Sequence, residues 1–137
     1  PLGYLADVAY IDRGNTQQAK DALAPVVEAL KGGRSIAISP EGTRSHTDRV
    51  LPFKKGAFHI AMQAEVPLVP IVIRNAGELM RPDAPFMAPG RLDVRVLPPI
   101  STEGWQVSEL TERVAAVRQL FIDAMAEWPR YVEPEED

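Results

Sequence analysis

Three short polar clusters hold the residues with chemistry to offer. Asp12-Arg13-Gly14 closes one apolar run, and Ser39-Pro40-Glu41-Gly42-Thr43-Arg44-Ser45 closes another. Phe53-Lys54-Lys55-Gly56-Ala57-Phe58 opens a helical pattern. Arg13, Arg44, Lys54 and Lys55 therefore stand where the backbone changes direction. Arg offers phosphate a planar fork of donors, and Lys a mobile point charge. A helix N-terminus adds free N–H groups and a partial positive charge. Gathered around one cavity, these groups make an electropositive hole suited to a phosphomonoester or similar dianion. Each charge-assisted hydrogen bond in such a hole contributes about 1.5–3 kcal/mol. Taken singly, each group also has an ordinary use: Arg13 as a turn ion pair with Asp12, Thr43 as a helix cap, Lys54 and Lys55 as solvated surface. His46, in a polar loop, and His59, in mid-helix, read as structural or surface histidines.

The elements that must position these clusters alternate in period. Val8-Ala9-Tyr10-Ile11 reads as a buried strand ending at Asp12. A helix starting near Gln17 carries Ala22, Val26, Ala29 and Leu30 on one stripe, holds Pro25 within it, and stops at Gly32-Gly33. Ser35-Ile36-Ala37-Ile38 reads as a second strand, broken by Pro40-Glu41-Gly42-Thr43. The next helix runs from about Lys55 to Glu65, with Phe58, Ala61 and Met62 inward. Val66 to Ile73 is the most hydrophobic stretch; its second half reads as a fully buried strand, which favours a parallel sheet covered on both faces. Residues 74–91 form a long loop, the natural place for specificity. Leu92, Val94 and Val96 alternate with Asp93 and Arg95 as a strand with one polar face. Ser108 caps an amphipathic helix with Leu110, Val114, Val117, Phe121 and Met125 at three- and four-residue steps. Trp105 and Trp128 flank it as packing groups. The order predicts an α/β fold, a largely parallel sheet flanked by helices and joined by right-handed crossovers.

Composition narrows the function classes. A chain of 137 residues suits one domain and buries roughly two-thirds of its unfolded surface. With 45% hydrophobic residues the chain can form a packed core, which argues against bulk disorder. Nineteen Asp plus Glu against 15 Lys plus Arg give a net charge of −4, which argues against general nucleic-acid binding. The absence of Cys removes disulfides, thiolate zinc sites and Cys nucleophiles. No run approaches the roughly 18 apolar residues of a membrane span. There is no Walker loop, Rossmann glycine pattern or metal-ligand cluster in the sequence.

In order and spacing, these clusters resemble the glycerolipid acyltransferases, of the 1-acylglycerol-3-phosphate (lysophosphatidate) type. Tyr10-Ile11-Asp12-Arg13 is similar to that family's second motif, and Ser39-Pro40-Glu41-Gly42-Thr43-Arg44-Ser45 to its third and most specific one. Val66-Pro67-Leu68-Val69-Pro70-Ile71-Val72-Ile73 resembles its fourth, and Leu92 to Ile100 a later strand with a Pro-Pro-Ile ending. Thr43 within the third motif favours lysophosphatidate enzymes over glycerol-3-phosphate ones. The resemblance implies transfer of a fatty acyl group from acyl-CoA or an acyl-carrier protein, as co-substrate, to the hydroxyl of lysophosphatidate, with no further cofactor and no metal. By match, Arg13 and Arg44 would hold the glycerol phosphate head group, Lys54 or Lys55 would assist, and Glu41, Gly42 and Thr43 would shape and orient the loop.

One part of the family pattern is missing. Its first motif is a His followed five residues later by Asp, the general base on the acceptor hydroxyl and the group that holds its tautomer. Five residues after His46 stands Leu51, and five after His59 stands Ala64. The expectation is therefore that residues 1–131 form the carboxyl-terminal part of an acyltransferase domain, incomplete at its N-terminus and inactive alone. Residues 132–137 then form an acidic disordered tail. The full-length protein would meet the cytoplasmic side of a membrane through its missing N-terminal region, and the present piece would be soluble. The alternative is a non-catalytic lipid- or phosphate-binding module.

Overall fold

A computed structural model describes residues 16–43, 49–80 and 85–128, with the backbone alone for residues 16–22. The expected strand at Val8–Ile11 and the acidic tail lie outside the described residues. In chain order the elements are α1 (Thr16–Lys31), α2 (Gly56–Ala64), β1 (Ile71–Ile73), α3 (Ala76–Leu79), β2 (Val94–Val96), a 3₁₀ turn (Val107–Glu109) and α4 (Leu110–Glu127).

α1 contains Pro25, which sits exposed on its outer side. Val26 and Val27 turn inward and pack on Ile60 and Ala64 of α2, with Leu23, Leu30 and Val66 at the rim. The helix stops as expected at the glycine pair. Gly33 takes φ +89°, a left-handed value that costs glycine least, and the Arg34 N–H then reaches back 3.0 Å to the Ala29 carbonyl. The other side of α2 presents Phe58 to α4. There Phe58, Leu110, Val114 and Val117 form a second buried cluster, ringed by Phe53, Met62, Leu68, Ile100, Trp105 and Phe121. α2 is thus the middle layer between α1 and α4.

The sheet differs from expectation. β1 and β2 pair antiparallel, Ile71 opposite Val96 and Ile73 opposite Val94, and they are the only strands among the described residues. Bonds between Leu68 and Ile100 continue the ribbon, while Pro67 and Pro70, lacking N–H groups, keep its ladder short. The 74–93 excursion folds back between the two strands. Its ends are pinned where buried Asn75 donates to the Arg91 carbonyl at 2.7 Å and accepts from the Asp93 N–H at 2.9 Å, beside an Arg74–Asp93 ion pair. A chain that returns directly in this way pairs antiparallel rather than parallel.

Burial also departs from the sequence reading. Within β1 only Val72 is buried, at 2% exposure, and Ile71 and Ile73 are exposed. In β2 the alternation is reversed: Arg95 turns inward and Val94 and Val96 face out. The cause is one-sided cover. α4 lies against β1, and Trp128, just past its end, sits 4.8 Å beneath the Arg95 guanidinium in a cation–π contact. No described element covers the opposite face. Ser35–Ile38 is likewise not a strand; it is exposed and finds no ladder partner among the described residues. At the start of the last helix the cap is not Ser108. Gln106 and Glu109 form a reciprocal capping box, with the Gln106 N–H donating to the Glu109 carboxylate at 3.1 Å.

Candidate functional site

The Pro40–Thr43 turn and the approach to α2, remote in sequence reading, meet directly. The Gly42 N–H donates to the Ser39 carbonyl at 3.2 Å, and Gly42 takes φ +68°, where a side chain would be strained. The Lys54 N–H donates to the Pro40 carbonyl at 2.7 Å. The Glu41 carboxylate accepts the Leu51 N–H at 3.2 Å. Glu41 is therefore an anchor, spending one oxygen on the backbone of the loop that returns from its own turn. Thr43 and Lys54 are exposed beside this junction, and Glu41 and Gly42 are half-buried.

α4 grips the returning segment from the other side at three points. The Arg118 guanidinium donates through Nη2 to the Val50 carbonyl at 2.7 Å and through Nε to the Leu51 carbonyl at 3.0 Å. Phe121 meets Phe53 edge to face, ring centroids 5.1 Å apart. Lys55 Nζ donates to Thr111 Oγ1 at 2.7 Å. Positions 111, 118 and 121 fall on one stripe of a helix with 3.6 residues per turn, so a single rigid element sets Val50 to Lys55.

Of the residues expected at a phosphate, the structure brings Glu41, Gly42, Thr43 and Lys54 into one neighbourhood. Lys55, although adjacent in sequence, sends its ammonium group to α4. Arg13 and Arg44 lie outside the described residues, as does His46. His59 is half-buried on α2, with its backbone N–H in the helix ladder. No side chain caps α2 at Lys55, and its first turn carries no acidic residue, so its partial positive charge is not offset there. Arg118 and Thr111 were not visible as site residues in the sequence. Long-range side-chain bonds to backbone carbonyls leave no local pattern, and both residues read simply as the polar side of an amphipathic helix. Among the described residues there is no group of three or more His, Asp or Glu able to hold a metal ion. Nor is any described helix long and apolar enough to cross a membrane.

This geometry, a glycine-containing turn beside a Lys at a helix entrance, accompanies a clear kinship. A family model described as Acyltransferase matches residues 1–74, just over half of the chain. The chain belongs to this acyltransferase family. It is 38% identical over 126 residues to the 1-acyl-sn-glycerol-3-phosphate acyltransferase alpha of Mus musculus, covering 90% of this chain and 44% of that one. It is 39% identical over 126 residues to the 1-acyl-sn-glycerol-3-phosphate acyltransferase of Saccharomyces cerevisiae, covering 90% and 42%. The chain thus spans less than half the length of these relatives. Among solved structures, the 1-acyl-sn-glycerophosphate (LPA) acyltransferase PlsC from Thermotoga maritima is similar in fold, with a TM-score of 0.68 and 30% identity over 82% of this chain and 48% of that one.

Proposed function

We propose that this chain supplies the acceptor's phosphate site in an acyltransferase acting on 1-acylglycerol-3-phosphate, with acyl-CoA or an acyl-carrier protein as donor. In the reaction the acceptor hydroxyl attacks the thioester carbonyl; the ester C–O bond forms, the C–S bond breaks, and the thiol leaves with the proton. The observation that carries the reading is the junction at which the Lys54 N–H and the Leu51 N–H close onto Pro40 and Glu41. It brings the backbone of Lys54 to the turn that leads into Arg44, which supports a reading in which a guanidinium fork and an ammonium point charge would share a dianion. Relatives whose names state lysophosphatidate acylation support the choice of acceptor. Arg13 joins Arg44 at the phosphate in this reading, and Glu41, Gly42 and Thr43 hold the turn. The full-length enzyme works at the cytoplasmic face of a membrane.

A base must take the hydroxyl proton. Neither His in the chain is followed five residues later by Asp, so these 137 residues alone are proposed to be inactive. That same observation favours the second reading, a phosphate- or lipid-binding module without catalysis. The two are separated by measuring thiol release from acyl-CoA in the presence of lysophosphatidate. The 137 residues alone are expected to release none. A chain with a segment carrying His and, five residues on, Asp joined ahead of Pro1 is expected to release thiol and form phosphatidate. Turnover by the 137 residues alone overturns the assignment of the missing base, and no turnover by the extended chain favours the binding module.

A further inference from the structure

We infer that Arg118 is a positioning residue for the phosphate site, acting through the backbone of Val50 and Leu51. The inference rests on the phosphate reading above and extends it to a helix beyond the region that the family model matches. The chain of contacts is continuous. The Arg118 guanidinium donates to the Val50 carbonyl at 2.7 Å and to the Leu51 carbonyl at 3.0 Å. Leu51 in turn donates its N–H to the Glu41 carboxylate at 3.2 Å, and three residues further on the Lys54 N–H closes onto Pro40 at 2.7 Å. The planar fork therefore holds two consecutive carbonyls of the returning segment, and because the N–H of a trans peptide points opposite to its carbonyl, the Leu51 N–H is directed away from Arg118, toward Glu41.

Neighbouring contacts make Arg118 a firm reference point. Val117, beside it, is buried in the cluster with Phe58, Leu110 and Val114, and Phe121, one turn on, packs against Phe53. α4 is held by this apolar cluster independently of the guanidinium. Arg118 is only half-buried, so its replacement by a shorter polar side chain leaves no large buried cavity. What it leaves is two carbonyls without their charged donor and a returning segment free to drift from the Glu41 turn. Misplacement of a binding group by about 1 Å is enough to cost binding or rate heavily.

The test compares the unsubstituted chain with Arg118→Gln, Arg118→Lys and Lys54→Ala, using glycerol 3-phosphate as the probe in calorimetric titration. Amide hydrogen exchange at Leu51 and Lys54 is measured alongside. Arg118→Gln is expected to weaken binding about tenfold and to speed exchange at both amides, while thermal unfolding of the chain changes little. Arg118→Lys, whose ammonium still donates to one carbonyl at a time, is expected to recover most of the affinity. Wild-type affinity in Arg118→Gln, with weakened binding in Lys54→Ala, overturns the positioning role and leaves the phosphate reading standing. Absence of glycerol 3-phosphate binding by the unsubstituted chain overturns the phosphate reading and the inference with it. Unchanged exchange at Leu51 in Arg118→Gln overturns the positioning role whatever the titration shows.

Discussion

The cluster between α2 and α4 and the ribbon of β1 and β2 are built from equally apolar sequence, yet they end in opposite environments. Phe58, Leu110, Val114 and Val117 are buried to 7% exposure or less, whereas Ile71, Ile73, Val94 and Val96 are 46–63% exposed. The helical residues find partners on two elements, and each completes the other's cover. Among the described residues, the ribbon is covered on one face only, by α4. Apolar side chains gain from burial only the area that a neighbour actually removes from water. The comparison teaches that hydrophobic pattern proposes a core, while the number of covered faces decides it.

Substitutions can break or sharpen this contrast. The largest loss is expected for Leu110→Ala, at 1% exposure the centre of the helical cluster. It should cost about 2–5 kcal/mol, read as a lower denaturation midpoint in urea. Val72→Ala removes the single inward side chain of β1 and should cost about 1.5–3 kcal/mol by the same measurement. A smaller effect is expected at the entrance to α4, where hydrogen bonding from the Gln106 N–H, and then from Arg113, holds the Glu109 carboxyl below its ordinary pKa. A carboxyl whose pKa is lowered on folding contributes stability above its unfolded pKa and loses it as pH falls through its folded pKa. Glu109→Gln should therefore flatten the acid limb of the stability–pH curve and leave its neutral region nearly parallel to that of the unsubstituted chain. The smallest effect is expected at Val96→Thr on the open face, within about 0.5 kcal/mol of no change. A loss there as large as at Leu110 would mean that the open face is covered after all, and the contrast would collapse.

The same difference explains what the sequence made legible. α2 is found within a residue of its expected ends, with Phe58 and Ala61 inward as expected, because helical periodicity records one covered stripe. α4 likewise buries Leu110, Val114 and Val117 at the expected spacing. The β segments misled because a run such as Ile71-Val72-Ile73 looks the same whether one face or two are covered. Its partner's direction depends on how the 74–93 excursion returns, which Asn75 and Asp93 set through bonds between residues 18 apart in sequence. At the site, the motif residues were legible as types and order, and Glu41, Gly42 and Lys54 do meet. The separate fates of the two lysines were not, since only the packing of α4 turns Lys55 toward Thr111. The Gln106–Glu109 box, by contrast, has a legible three-residue spacing, and it caps the helix in place of Ser108, the expected cap.

In the proposed function the turn leading into Arg44 holds the phosphate of the acceptor. Calorimetric titration of glycerol 3-phosphate into the unsubstituted chain and into Arg44→Ala tests it most directly. Loss of one charge-assisted hydrogen bond should weaken binding by about tenfold to a hundredfold in the variant. Equal affinity in the two chains would contradict the claim.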